Sequence, residues 1–296
     1  MSLLSIVIIT CNRKESLLKT ITSCIDHVSM RWELIVVDNG SIDGSKDAVV
    51  NLCTNNNVDL HYLVMNHNLG VAGARNVGYQ QASGEIVYFI DDDAYITSNG
   101  YCLDKIYKYM MEKPSLMITS NKIYDTLMGG ILPEICEKNK KMENGTNLRS
   151  FIGASHFIKK SAMLPNNLYP DNLFYGGEEY YLSFIVHSLE KRIEYCDYVS
   201  VYHEPSKKTR DSHYGIYRNR ILNSFIVKKY LYPQPYLTLT TLCYWFRALK
   251  FTHCSPRKLH EMHQLYQQRY DKKYKKTISF SKMKEIVNEF GYRYLL

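Results

Sequence analysis

Three adjacent carboxylates, Asp91-Asp92-Asp93, follow directly on the apolar run Glu85–Ile90 (EIVYFI). Carboxylates this close repel one another unless a cation or basic groups neutralise them. Hard oxygen donors of this kind suit Mg²⁺ or Mn²⁺, which take one or two carboxylates together with substrate phosphates. An acidic turn would use the same residues, but their place at the end of a buried strand favours a metal site. A second acidic pair, Glu178-Glu179, follows Gly176-Gly177 and precedes an apolar helix. Such residues either stabilise the helix N-terminus, by about 0.3–1 kcal/mol, or supply a general base that takes a proton from an acceptor hydroxyl. His203, at the end of a strand-like segment, is a candidate contact to a metal or a phosphate. In Gly70-Val-Ala-Gly73-Ala-Arg75-Asn76-Val-Gly78, small residues let backbone approach a ligand or a neighbouring strand. Arg75 within it is able to pair with an anion. The other nine histidines show no paired ligand spacing and receive no role.

The elements that must position these residues follow from periodicity. Leu4–Thr10 is a β-branched run, as in a strand buried on both faces. A helical period covers Ser16–Val28, with Leu17, Leu18, Ile21 and Ile25 on one side. Trp32–Asp38 and Leu60–Met65 read as further strands. Asp43–Asn51 reads as a helix, and Asn68–Gln81 as a glycine-studded loop running into another. Strand and helix alternate at intervals of about 30 residues, which predicts an α/β, Rossmann-like, doubly wound and mostly parallel sheet. The carboxyl ends of such strands face the ligand crevice. Thr10-Cys11-Asn12-Arg13, Asp38-Asn39-Gly40-Ser41 and Asp91-Asp92-Asp93 therefore converge on one site. No glycine follows the first strand, which disfavours a dinucleotide-dependent dehydrogenase. Residues 120–150 read as a long polar surface excursion. Phe151–Lys160 returns to strand character, Leu182–Ser188 to a helix, and Tyr195–Tyr202 to a strand ending at His203. Further helices are expected near Ile216–Tyr230, Leu237–Phe251, Arg257–Tyr270 and Ser281–Phe290.

Composition narrows the class. The 296 residues are 45% hydrophobic and 22% charged, which argues against disordered, collagen-like and disulfide-scaffold proteins. The net charge of +8 is uneven: residues 1–200 carry −5 and residues 201–296 carry +13. Eight cysteines are spread singly with no C-x-x-C pair, against a zinc ribbon or a disulfide framework and in favour of a reducing compartment. The apolar start lacks a basic flank and a cleavage site, so it reads as a strand and not a signal peptide. Leu237–Phe251 approaches a spanning helix in character but is broken by Arg247 and Lys250.

Taken in order, IVIITCNR, IVVDNGS, NLGVAGARNVG, IVYFIDDD and GGEE resemble the family-2 glycosyltransferases of the GT-A fold, over roughly the first 205 residues. Phe151–Lys160 resembles the family's acceptor-side strand. Glu178-Glu179-Tyr-Tyr-Leu, Val201-Tyr-His203-Glu204 and Tyr217-Arg218-Asn219-Arg220 are similar to the bacterial rhamnosyltransferase-like branch. The resemblance implies a GT-A nucleotide-sugar-binding and catalytic domain over 1–205, its acceptor-side half starting at about 120. A basic, tyrosine-rich helical region would occupy 206–296. It implies an inverting, metal-dependent transfer from a nucleoside-diphosphate sugar to an acceptor hydroxyl, in bacterial polysaccharide or glycoconjugate assembly. Thr10, Asn12 and Arg13 would lie beside the nucleotide, Asp38 on the pyrimidine base with Asn39 next to it, and Gly73 and Arg75 on the nucleotide's other side. Asp91 and Asp92 would approach the ribose and diphosphate. Asp93 would ligate Mn²⁺ or Mg²⁺, with Asp91 and His203 as the other metal contacts. Glu179 takes the place of the catalytic base. The family usually has Glu-Asp there and this chain has Glu-Glu, which leaves Glu178 as the alternative.

The implied partners are a UDP- or dTDP-sugar and a glycan or lipid-linked glycan. Two other functions stay open at this stage. A sugar nucleotidyltransferase should carry a glycine-rich basic loop after its first strand, and none is present. A non-catalytic carbohydrate- or nucleotide-sugar-binding module would not need the acidic motifs. For the basic C-terminal region the sequence allows an anionic membrane surface, solvated helices closing the acceptor side, or a homodimer contact. Nucleic acid is disfavoured for want of a reading motif. The corresponding location is cytoplasmic, or peripheral on the inner face of the plasma membrane.

Overall fold

The run Leu4–Thr10 forms strand β1 in the computed structural model, which describes residues 3–133, 141–173, 176–205 and 213–292. Its side chains alternate between two apolar layers, Leu4, Ile6 and Ile8 in one and Val7 in the other. Helix α1 (Lys14–Ile25) leads to β2 (Trp32–Asp38), helix α2 (Ser45–Asn55) to β3 (Leu60–Val64), and helix α3 (Gly70–Gln81) to β4 (Ile86–Ile90). These four strands are parallel, in the order β3-β2-β1-β4. Leu17 and Ile21 of α1 and Val49 of α2 join the layer of Leu4 and Ile6. Ala72, Ala74 and Tyr79 of α3 join the layer of Val7. Burial on both faces is why β1, β2 and β4 read as largely apolar runs, while the edge strand β3 is half-buried. Helix α3 comes closest at Gly78, where a Cβ would stand 2.3 Å from Val7 Cγ1.

Beyond β4 the sheet becomes mixed. The chain continues through β5 (Ala94–Ile96), helix α4 (Cys102–Met111), β6 (Leu116–Asp125), β7 (Gly130–Leu132), β8 (Ser155–Lys159), helix α5 (Glu178–Ser188) and β9 (Arg192–His203). Strand β8 lies antiparallel between β4 and β6, β9 runs parallel to β6, and β5 closes the edge antiparallel to β9. The reading of 120–150 as a surface excursion is corrected here. Its first six residues finish β6, inside the sheet, and Met142 and Leu148 are buried; residues 134–140 lie outside the described residues. The error came from Thr119, Ser120 and Asn121, which are polar yet fully buried. Asn121 Nδ2 donates to Ser155 Oγ at 2.7 Å and Ile152 N to Ser120 Oγ at 3.1 Å, so neighbouring segments supply partners that a loop would find in water.

Four helices follow: α6 (His213–Leu231), α7 (Tyr236–Thr252), α8 (Pro256–Arg269) and α9 (Phe280–Phe290). Phe184 and Ile185 of α5 share an apolar core with Leu222, Ile226 and Tyr230 of α6 and Met283 and Ile286 of α9. Phe225 of α6, Tyr244 of α7 and Met262 of α8 form a smaller one. Asn223 on α6 donates from Nδ2 to the carbonyls of Leu173 (3.0 Å) and Gly176 (2.8 Å), and so holds the loop that enters α5. Among the described residues no helix is long and apolar enough to cross a membrane.

Candidate active site

Strand register brings the polar strand ends together. Thr10 and Asp38 share a rung of β1 and β2. Asp38 accepts from Ser41 N (2.7 Å) on Oδ1 and from the Tyr62 hydroxyl (2.7 Å) on Oδ2, which fixes the plane of its carboxylate. Asn12, at φ +54°, donates its N–H to Ser41 Oγ and accepts from Ile42 N on Oδ1, both at 2.8 Å. Asn39 Oδ1 accepts from Leu69 N at 3.2 Å. The loops after β1 and β2 and the turn before α3 are thereby tied to one another.

The three aspartates divide by side. Asp91 and Asp93 share a face with His203, and one ligand atom from each lies within 4.8 Å of the others. Asp92, expected against the ribose and diphosphate, is turned inward: it is 5% exposed and accepts from Thr10 Oγ1 (2.8 Å) and Arg13 Nη1 (2.9 Å). Burial pushes its pKa up to about 7, against the pull of Arg13. Arg13 Nη1 also donates to Asp93 Oδ2 at 2.6 Å. His203 presents Nε2 to Asp93 (3.3 Å) and Nδ1 to Asp125 (2.8 Å). Burial alone would lower its pKa, but Asp93, Asp91 and Asp125 together raise it to about 9. The register explains the arrangement, because His203 pairs with Ala94 on one side and Asp125 on the other.

Arg75 is buried at the centre, where three carboxylates face it. Nη2 donates to Asp91 Oδ1 (2.9 Å) and to the carbonyl of Gly153 (3.0 Å); Nη1 lies 3.5 Å from both Glu178 and Glu179. One cation among three acids leaves excess negative charge in a desolvated place, which favours the protonated form of the most buried acid. That acid is Glu178, which is 2% exposed and leaves Oε2 without a hydrogen-bond partner; burial, then the charge of Glu179, raise its pKa to about 8. Glu179 has a quarter of its side chain exposed. Both sit in the first turn of α5, which begins after Gly177 at φ +97°.

Thr10, Arg13, Arg75, Asp91, Asp93, Glu178, Glu179 and His203 thus form one contiguous cluster, bordered by Asn12, Asp38 and Asn39. Gly73 lies apart from it, beside Leu69 and Asp171 in a hollow of about 420 Å³ lined also by His67, Asn76 and Asn167. Sequence reasoning missed Asp125, Tyr62 and Gly153. Two carboxylates and an imidazole on one face make a donor set that fits Mn²⁺ or Mg²⁺. A second group, Glu33, Asp59 and His61, lies at the other end of the sheet, where Glu33 is already engaged by Ser5 Oγ and Ser83 N.

Comparison with known proteins bears on this arrangement. The model of the family described as glycosyl transferase family 2 matches residues 5–164. A GalNAc(5)-diNAcBac-PP-undecaprenol beta-1,3-glucosyltransferase of Campylobacter jejuni is 29% identical over 188 residues, 59% of this chain and 57% of its own length. The chain thus spans little more than half of that relative. A putative teichuronic acid biosynthesis glycosyltransferase of Bacillus subtilis is 30% identical over 38% of this chain and 43% of its own length. Among solved structures, GalNAc-T7 with UDP, GalNAc and Mn²⁺ superposes with a TM-score of 0.64 at 16% identity, covering 98% of this chain and 56% of that one. S. aureus TarS 1-349 with UDP-GlcNAc gives 0.57 at 15% identity, over 93% and 90%. At such identities the likeness is one of fold, an α/β GT-A arrangement.

Proposed function

Because the chain belongs to glycosyl transferase family 2, we propose that it moves a sugar from a nucleoside-diphosphate donor to an acceptor hydroxyl, with inversion at the anomeric carbon. The observation that carries this reading is Arg75, whose guanidinium joins Asp91, in the cluster with Asp93 and His203, to Glu179 at the start of α5. One buried cation connects the place where a diphosphate would leave with the carboxylate that would activate the acceptor.

Thr10, Asn12, Arg13, Asp38 and Asn39 form the donor side. The oriented carboxylate of Asp38 is suited to accept from the N–H of a pyrimidine base, in keeping with a UDP- or dTDP-sugar. Asp91, Asp93 and His203 would hold Mn²⁺ or Mg²⁺, which when bound supplies positive charge against the leaving diphosphate. Arg13 adds a cation at the same place, in the desolvated surroundings where a charge contact is worth most. Glu179 takes the proton of the acceptor hydroxyl as that oxygen attacks from the face opposite the leaving group. Glu178 is the alternative base, but it is buried and its pKa is raised by that burial and by the charge of Glu179, whereas Glu179 is a quarter exposed toward the place an acceptor would take; the part we assign to Glu178 is to hold Arg75. Holding donor and acceptor together lowers the entropic part of the barrier. The relatives' names point to bacterial surface-polysaccharide or lipid-linked glycan acceptors.

Thermal-shift screening of UDP- and dTDP-sugars with Mn²⁺ identifies the donor, since a ligand that binds the folded state raises its melting temperature by mass action. Glu179→Gln is expected to abolish transfer from that donor while leaving its thermal shift intact. A Glu179→Gln enzyme that still transfers, or one that folds but no longer binds donor, overturns the assignment.

A further inference from the structure

Helix α7 is apolar on two opposite sides. Thr240, Tyr244, Ala248 and Thr252 are buried, with Tyr244 and Ala248 in the core shared with α6 and α8. On the far side Leu239, Leu242, Phe246 and Leu249, spaced by three, four and three residues, form one stripe flanked by Trp245. Leu242 and Phe246 at its centre are 64% and 70% exposed. A surface helix turns polar residues outward; one that is apolar all round is made to be covered.

Charge says by what. From Ser212 to His260 the chain has eight Lys and Arg and no Asp or Glu. Lys250 lies on the rim of the stripe, and Arg257, in the first turn of α8, has 90% of its side chain exposed and pairs with Glu261 at 3.4 Å. A second copy of this helix would bring another basic rim and no Asp or Glu of its own to meet it, an unfavourable juxtaposition. A negatively charged lipid surface offers both an apolar layer for Leu, Phe and Trp and counter-charge for the basic rim.

We propose that the outer face of α7 lies in the interface of an anionic lipid bilayer, with Leu239, Leu242, Phe246 and Leu249 inserted and Lys250 and Arg257 at the headgroups. The 17-residue helix is long enough, at about 25 Å, to float in the plane of the membrane. Through α6 the docked helix connects to Asn223, which grips the loop before Glu178.

The test is sedimentation of the full chain with vesicles of phosphatidylcholine alone or with about 30% phosphatidylglycerol. The wild-type chain is expected to pellet with the anionic vesicles and to stay in solution with the neutral ones. Leu242→Glu/Phe246→Glu should lower the bound fraction at least about tenfold with the melting temperature unchanged, and Lys250→Glu should weaken binding most at low salt. In a Trp32→Phe background, the emission of Trp245 should shift to the blue on anionic vesicles, a readout of insertion independent of those variants. Failure of the wild-type chain to pellet, equal pelleting of the double variant, or no shift of Trp245 overturns the proposal. So does a wild-type dimer that the double variant converts to monomer without loss of vesicle binding, which would assign the face to a second copy.

Discussion

Gly153→Ala tests the site at its tightest point. Gly153 precedes β8, has no left-handed φ, and accepts Arg75 Nη2 on its carbonyl. A Cβ built there stands 2.2 Å from Glu179 Oε1 and 3.0 Å from both terminal nitrogens of Arg75. Ordinary contact begins at about 3.4 Å, so the Glu179 oxygen must retreat by about 1.2 Å. Both displaced groups are ends of flexible side chains, and the backbone tolerates alanine, so the fold survives. With Glu179 as base, a misplacement of about 1 Å lowers turnover by about 10²-fold, equivalent to about 2.7 kcal/mol in the barrier. The assay is steady-state transfer with the donor found by thermal shift, alongside calorimetric donor affinity and melting temperature. Turnover should fall by about that factor with donor affinity nearly unchanged. Wild-type turnover in Gly153→Ala would refute the assignment of Glu179.

Asp125→Asn removes the carboxylate facing His203 Nδ1 and should weaken Mn²⁺ affinity by about 10–100-fold, read from Mn²⁺ titration of the donor thermal shift; an unchanged midpoint contradicts it. Glu178 binds its proton more tightly in the folded chain than in the unfolded one, so its contribution to stability is full below its ordinary value of 4.5 and declines as pH rises toward about 8. Glu178→Gln should therefore lose less stability between pH 5.5 and pH 8 than the wild-type chain, by at least about 1 kcal/mol, and parallel pH profiles in denaturant melts would count against it. Gly78→Ala meets Val7 Cγ1 in a packed core at 2.3 Å and should destabilise by about 1–3 kcal/mol while leaving turnover per folded molecule unchanged. The two glycines face equally short approaches, and only the atom in the way differs.

Much of the donor half was legible because its strands are buried on both faces. Past the buried pair Ser5 and Glu33 near their starts, Leu4–Thr10 and Trp32–Asp38 are apolar up to the strand ends, where a polar cluster announces itself. Strand β6 was illegible for the converse reason, since its buried Ser120 accepts from Ile152 N and its buried Asn121 donates to Ser155 Oγ, partners 32 and 34 residues away that no local pattern reveals. Asp125 escaped notice because its meaning depends on a rung shared with His203, and register between distant strands is not written in either one. Asp91-Asp92-Asp93 was found as a unit, but the alternation that turns Asp92 toward Thr10 and leaves Asp91 and Asp93 with His203 came only from the fold. Gly153 carried no signal at all, since what sets it apart is the space around it.

The contacts that make the site reach far along the chain: Thr10 to Asp92 spans 82 residues, His203 to Asp125 spans 78, and Arg75 to Glu178 spans 103. Closing such loops is entropically costly and comes late in folding. During synthesis the first four strands can emerge and pack in parallel, with Arg75 already on Asp91 and Asp93 on Arg13, while Arg75 still lacks Glu178 and Glu179 and Asp93 still lacks His203. Only when α5 and then β9 leave the ribosome does the last carboxylate meet its cation and the imidazole its two acids. A nick between Asp93 and Glu178 that lets the pieces part takes Glu178, Glu179 and His203 away from Arg75 and Asp93 together.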